Sequence, residues 1–396
     1  METVKHRNLK ILYVAHERKL GGATKSLIAL LELMITKGHQ VCVLVPTLGC
    51  PLAKELTARN IDCIPCFFAW WMYPRSWNIL LRFAFECLYS VEGLQVKYIY
   101  RRLQKLKFSP DIVHTNSSVT DFGARLAKRI GCRHVWHVRE YGDADYNLEY
   151  MKDKSETWQF MNENSDRILF ISNDVYNYFS GFADKRKSIV VYNGIAQKYL
   201  VEKKQKNDKT EFLLASNINR SKNHMLVLRA VKMLADKGIH NFHLNIAGAA
   251  TIVKDSKLYE EELKRFVSDN ELAGYVSFLG KVDDMIELRK QTDVEIVPSV
   301  REAFGRVTVE AMMAGMPVIA SASGANVEIV EDEITGILFE SNNAGALSDA
   351  MSAYIANPQL STKHGDNGYT RAKRLFTADK NADEVEMCYL DVCNCL

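Results

Sequence analysis

Strand-sized apolar runs alternate with helix-period segments twice along this chain of 396 residues. The two series are separated by a charged stretch poor in apolar residues, Val201–Thr210, which reads as a linker or edge loop. The first series is Ile11–Ala15, a helix over Ala23–Thr36, Val41–Pro46, Asp111–Thr115, His134–Val138, Arg167–Ser172 and Ile189–Tyr192. The second is Phe212–Ala215, a helix over Asn223–Lys237, Phe242–Ala247, Tyr275–Leu279, Val294–Pro298, Pro317–Ala320 and Gly336–Phe339. Strands that alternate with helices imply parallel sheets covered on both faces. The chain is also too long for one ordinary core. The expected fold is therefore α/β: two Rossmann-like, doubly wound parallel-sheet domains facing a cleft. The expected boundaries are residues 1–196 and 197–375, with a helix-compatible segment over 376–396 packing back on the first domain.

One unit in the second series carries chemistry. Val294–Pro298 reads as a buried strand, and Gly315 with Pro317 reads as a helix stop. Between them lie Glu302 and Glu310, eight residues apart, the first in a glycine-containing loop and the second inside a helix. In an open parallel sheet, the carboxyl ends of the strands are where ligands bind. The first amides of such a helix, on Val307 and Thr308, suit a phosphate. Arg306 has two readings. A cation in the first turn opposes the helix dipole, which suits an anion bound beside it; alternatively it forms an i,i+4 pair with Glu310.

A net charge of +3 is too small for a general nucleic-acid binder. Nine scattered cysteines form no disulfide or metal framework, and Cys63-Ile-Pro-Cys66 lacks the second pair a zinc site needs. With a polar start to the chain, this reads as cytoplasmic. No window qualifies as a transmembrane helix. The span 67–107 is nonetheless unusual. Aromatic residues crowd its first part, Trp77, Leu81, Ala84, Leu88 and Val91 follow helical spacing, and seven basic residues face only two acidic ones from Arg75 to Lys107. This composition suits an interfacial segment resting on anionic lipid. A pair of helices packed within the first domain is the competing reading.

With these motifs in hand, the chain resembles the family 4 retaining glycosyltransferases of GT-B architecture, of the bacterial polysaccharide-biosynthesis type. The resemblance rests on Phe278–Asp284, Pro298-Ser299, the Glu302–Glu310 element, Gly315–Ala320, Ser323–Val330 and Thr335–Phe339. More loosely it includes Gly21-Gly22-Ala23, Asp111–His114, Trp136–Glu140 and Val191–Gly194. It implies a nucleotide-diphosphate sugar as co-substrate, UDP by family frequency, and no metal or other cofactor. It also implies a lipid-linked or glycan acceptor. By resemblance, Glu310 binds the ribose hydroxyls and Glu302 sits against the donor sugar. Backbone groups of Phe304, Gly305, Arg306, Val307 and Thr308 hold the diphosphate and sugar. Lys222 pairs with the diphosphate, Gly21 and Gly22 allow close approach to the phosphates, and His137 meets the transferred sugar. Ser216-Asn217 stands where the family often has Gly-Arg. Asn217 is therefore a donor-side position without its cation, which Arg220 or Arg306 would have to supply. Ala325 likewise replaces the usual second glycine of its loop.

Other classes of function fit less well. A nicotinamide-dependent enzyme should show Gly-x-Gly-x-x-Gly after the first strand, where this chain has only Gly21-Gly22. A glycoside hydrolase would use two carboxylates about 5 to 9.5 Å apart, but a lysine beside a helix start suits an activated donor better. A sugar-nucleotide epimerase of the same architecture and a non-catalytic sugar-nucleotide-binding protein remain as alternatives.

Overall fold

The computed structural model describes residues 8–145, 147–196, 209–251 and 254–394. The expected linker at Val201–Thr210 therefore lies outside the described residues except for its last two positions, as does Cys395. The chain divides into two compact units, Met1–Gly194 with Ala378–Leu396, and Ile195–Thr377.

The first unit is built on seven strands: β1 (Lys10–Val14), β2 (Gln40–Val45), β3 (Asp62–Pro65), β5 (Ile112–Thr115), β6 (Arg133–Val138), β8 (Arg167–Phe170) and β9 (Ser188–Val190). Their order is β3-β2-β1-β5-β6-β8-β9, with every pairing parallel. A separate antiparallel pair joins β4 (Met72–Pro74) to β7 (Leu148–Tyr150). Ile11 to Val14 and Ile112 to Thr115 are buried, as expected of strands covered on both faces. The connections reverse direction between β1 and β5, which makes that boundary the switch point of the sheet.

The helix Ala378–Val392 belongs to this unit. Its Ala382, Val385, Cys388, Tyr389, Leu390 and Val392 join the core beneath helix Gly22–Thr36. Tyr389 Oη donates to Tyr13 Oη at 3.0 Å and lies 2.7 Å from His114 Nδ1. Glu386 accepts from Lys37 Nζ at 2.8 Å and lies 2.9 Å from His39 Nε2.

The aromatic-basic span divides between core and surface. Phe68, Trp71 and Tyr73 are buried, with Trp71 stacked on Trp136 at 5.4 Å. The rest is not a pair of helices. It is a single helix of 27 residues, Ile79–Lys105, capped by Asn78, whose side chain accepts from Leu81 N at 3.0 Å. Only Glu92, Val96, Ile99 and Leu103 of this helix are buried. The stripe Leu81, Ala84, Leu88 and Val91 is exposed, because helical spacing marks a face without saying what covers it.

The second unit holds β10 (Thr210–Ala215), β11 (Phe242–Ala247), β12 (Val276–Gly280), β13 (Val294–Val297), β14 (Val318–Ser321) and β15 (Gly336–Phe339). They form one parallel sheet in the order β12-β11-β10-β13-β14-β15, with its switch point between β10 and β13. Ile195 and Thr377 fall in this unit because they bridge each other, and Ile195 N donates to Phe376 O at 2.8 Å.

Candidate functional site

The loops leaving β10 and β13 meet at the switch point of the second sheet. After β10 the chain turns through a short 3-10 segment, Arg220–Lys222, whose Lys222 N donates to Asn219 Oδ1 at 3.1 Å. Val300 N donates to Ser221 O at 2.9 Å and ties the two loops together. The result is an ion pair between Lys222 Nζ and Glu302 Oε1, 80 residues apart in sequence. The lysine is about one-third exposed and the glutamate is mostly covered.

Glu302 is held by its backbone. Gly324 has φ of 56°, and a Cβ there would stand 2.5 Å from Glu302 O and 2.6 Å from Glu302 N, so the next loop lies directly against it. Ala325 N donates to Glu302 O at 2.8 Å. Ala325 itself has φ of −68°, ordinary helical backbone, so the family's second glycine is not required at that position.

The helix Arg306–Met313 begins at Gly305, which has φ of 74° and provides no side-chain cap. Its first-turn amides, on Val307 and Thr308, are thus left for a ligand or solvent to satisfy. A Cβ on Gly305 would come within 3.1 Å of Thr308 Oγ1 and 3.2 Å of Asn326 Oδ1. Phe304 is buried and packs against Phe376.

Glu310 sits in a chain of ion pairs. Arg306 Nε donates to Glu310 Oε1 at 2.8 Å, which is the i,i+4 pairing. Arg289 NH1 reaches Glu310 Oε2 at 3.1 Å, while its Nε and NH2 hold both oxygens of Glu295 at 2.9 and 3.2 Å. Arg289 and Glu295 are fully buried. Burial pushes the guanidinium pKa down, but Glu295 and Glu310 outweigh it and hold the group charged. Two cations and two carboxylates balance. Fixed from two sides, the Glu310 carboxylate still has lone-pair capacity for hydroxyl donors, since a carboxylate has about four acceptor sites.

Of the residues expected in the second domain, the structure brings together Lys222, Glu302 and the start of helix Arg306–Met313, with Glu310 in that same helix. Arg220 is turned away: it is exposed, lies over the Tyr259 ring and pairs with Glu262 at 3.0 Å and Asp255 at 3.4 Å. Both cations considered for the Asn217 position are therefore engaged with carboxylates, and Asn217 lies exposed on the loop after β10. Arg289 and Glu295 were not singled out from the sequence. Their signal was a glutamate inside the apolar strand Val294–Val297, which needs a buried cation.

The remaining expected residues lie in the first unit. Gly21 caps helix Gly22–Thr36 in extended backbone, and its N–H donates to Thr24 Oγ1 at 2.7 Å. His137, on β6, is fully buried. Its Nδ1 lies 3.2 Å from Arg139 NH2, and its Nε2 has no hydrogen-bond partner among the described residues. Burial, then Arg139 and His114, hold its pKa far below the usual range, so the ring is neutral. Arg139 is itself buried and donates to Asn116 Oδ1 at 2.7 Å and to Asn193 Oδ1 at 2.5 Å. Among the described residues, no three His, Cys, Asp or Glu side chains are grouped to hold a metal ion. None of the described helices is long and apolar enough to cross a membrane.

Known families match the chain in both halves. Residues 197–371 match the family "Glycosyl transferases group 1", and residues 20–198 match "Glycosyltransferase Family 4". A UDP-Gal:alpha-D-GlcNAc-diphosphoundecaprenol alpha-1,3-galactosyltransferase of Escherichia coli is 24% identical over 98% of each chain. An uncharacterized glycosyltransferase of Methanocaldococcus jannaschii is 26% identical over 67% of this chain and 71% of its own. Among solved structures, Anabaena HepE in complex with UDP has a TM-score of 0.79 at 18% identity, covering 97% of this chain and 100% of its own. A glycosyltransferase from Rickettsia africae also gives 0.79, at 19% identity over 98% and 99% of the two chains. These structures share the fold.

Proposed function

We propose that this chain, a GT-B glycosyltransferase related to the group 1 and family 4 glycosyltransferases, moves a hexose or N-acetylhexosamine from a UDP-sugar to a hydroxyl of a lipid-linked or polysaccharide acceptor, with retention of configuration, in cell-surface polysaccharide synthesis. The observation that carries this reading is the Lys222–Glu302 pair beside an uncapped helix start at the switch point of the sheet. The relative that spans almost the whole chain acts, by its name, on UDP-Gal and a diphosphoundecaprenol-linked sugar. HepE was solved with UDP and with UDP-glucose.

In this reading the diphosphate takes Lys222 from Glu302 and lies on the amides of Val307 and Thr308. Glu302, released, accepts from the donor sugar hydroxyls, and Glu310 accepts from the ribose. As the bond between the sugar C1 and the phosphate oxygen breaks, the leaving diphosphate gains negative charge. The ammonium and the amides therefore stabilise the transition state more than the ground state. The acceptor oxygen forms the new bond to C1 on the face the diphosphate leaves, and its proton passes to a phosphate oxygen. His137, neutral and fully buried, is the first-unit residue that the family resemblance assigns to the transferred sugar. With its cationic needs met by Lys222, the reaction runs without metal. The site of action is the cytoplasmic face of the membrane, where a carrier-linked acceptor is held.

The test incubates purified protein with labelled UDP-sugars and a diphosphate-lipid-linked acceptor, with and without EDTA. Acceptor-dependent label transfer that survives EDTA is expected. Isomerised donor without transfer would instead make the protein an epimerase, and binding without turnover a binding module. Activity lost to EDTA and restored by Mn²⁺ would overturn metal independence.

A further inference from the structure

The stretch Ser323–Val330 carries part of the family resemblance, yet the reaction described above uses it only as backing for Glu302. Within it lies a polar side chain that ought not to be in a core. Asn326, the first residue of helix Asn326–Ile329, is fully buried. A buried amide is unfavourable unless its hydrogen bonds are made, and an apolar side chain of similar size would avoid that cost. Its partners show what the amide joins.

One partner is the start of helix Arg306–Met313. Thr308, also fully buried, donates from Oγ1 to Asn326 Oδ1 at 3.1 Å. Thr308 is the third residue of that helix, where a side chain can fold back on the cap residue. Here its hydroxyl is turned to another loop instead. The same amide oxygen is close to the cap, since a Cβ added to Gly305 would stand 3.2 Å from it. The other partner is the sheet. Asn326 Nδ2 lies 3.3 Å from Ser321 O, at the end of β14, and Ser321 Oγ donates to Ser299 O at 2.6 Å, just beyond β13. The residue before Asn326 completes the link: Ala325 N donates to Glu302 O.

We propose that Asn326 is a positioning residue that couples the two halves of the donor site. Through Thr308 it sets the helix start that holds the diphosphate, and through Ala325 it sets Glu302, which meets the donor sugar. Ser321 ties both to the sheet, so neither shifts without the other. This rests on the reading of these loops as the donor site. It adds a residue that touches no ligand and makes the sugar and the diphosphate bind as one unit.

The test is a double-mutant cycle on the full chain. Calorimetry follows UDP and the tightest binder among UDP-glucose, UDP-galactose and their N-acetyl forms, in wild type, Glu302→Gln, Asn326→Leu and the double variant. Glu302→Gln should weaken the UDP-sugar about tenfold in the wild-type background and about threefold or less beside Asn326→Leu, a coupling of the size contacting residues show. Asn326→Leu alone should weaken the UDP-sugar about tenfold and UDP about threefold or less. Thr308→Val keeps the backbone amide and removes the hydroxyl, so it should give the same loss of coupling, and it stands in if Asn326→Leu does not fold. An asparagine that only stabilises the fold would lower the melting temperature and scale both ligands alike. That result, or an equal effect of Glu302→Gln in both backgrounds, overturns the proposal and leaves the donor site standing. No UDP-sugar binding by wild type, or no effect of Glu302→Gln upon it, sinks the donor-site reading and the coupling with it.

Discussion

Lys222 and Glu302 satisfy each other in the structure, so in the proposed reading donor binding is an exchange of partners rather than the filling of an open charge. Substituting Lys222 by Ala should lower kcat by roughly a hundredfold, the scale of losing one preorganised charge stabiliser, with a smaller change in donor KM. Glu310→Ala should mainly raise donor KM. Steady-state kinetics on both variants checks the split, and wild-type values in either would remove its role. If Glu310 binds the donor as proposed, Arg289 acts through it as a positioning residue. Arg289→Met strands Glu295 in the core without a cation, a loss of about 3–5 kcal/mol for a broken buried pair, seen as a lower melting temperature. Arg289→Met with Glu295→Leu should recover stability but not donor KM, because Glu310 is then held by Arg306 alone. Both glutamates of the motif were readable in the sequence from their spacing. The Arg306 question was not, since a first-turn arginine is compatible with either partner, and only the side-chain geometry places it on Glu310. Arg289 was hidden because its partners lie on a different strand and helix.

At the scale of elements, the strands were the most legible part of the molecule. Phe242–Ala247 and Gly336–Phe339 fall where the apolar runs put them, because a strand covered on both faces leaves a continuous hydrophobic signature. The pair β4 and β7 left none: three residues each, one strand ending in proline, too short for a period. Helix Ile79–Lys105 shows the opposite failure, a clear stripe with no burial behind it. What seats this helix is Glu92, buried, accepting from Ala69 N at 2.8 Å beside Asp121 and 3.5 Å from Arg125. Burial, and then Asp121, raises its pKa from 4.5 to about 8. The folded state thus holds this proton more tightly than the unfolded chain. Its contribution is complete below about 4.5, falls as pH rises toward 8 and is gone above it. Glu92→Gln keeps an acceptor for Ala69 and removes the titration. The variant's melting temperature, relative to wild type, should therefore rise steadily from pH 5 to pH 8 and then level off. A constant difference across that range would show Glu92 already ionised.

At the scale of the whole molecule, two parallel sheets with matching switch-point logic share one chain, and the alternation of runs in the sequence announced both. What the sequence could not announce is how strongly the helix Ala378–Val392 is built into the first unit. Its Tyr389 hydroxyl completes a hydrogen-bond chain to Tyr13 and His114, and His114 lies edge-on to His137 at 5.3 Å. Burying Val385, Tyr389, Leu390 and Val392 is worth about 1.5–3 kcal/mol for each large side chain. A chain ending at Thr377 should therefore lose hydrogen-exchange protection in β1 and β5 while β10 and β13 keep theirs. Equal protection in both sheets would show the helix to be an accessory.

The same helix imposes an order on biosynthesis. A ribosome makes all of Ile195–Thr377 before it reaches Ala378. During translation the second sheet can mature while the first waits with an open flank for its closing segment. Nascent molecules thus spend that interval with Leu27, Leu31 and Met34 poorly shielded, a window in which a chaperone would be most useful.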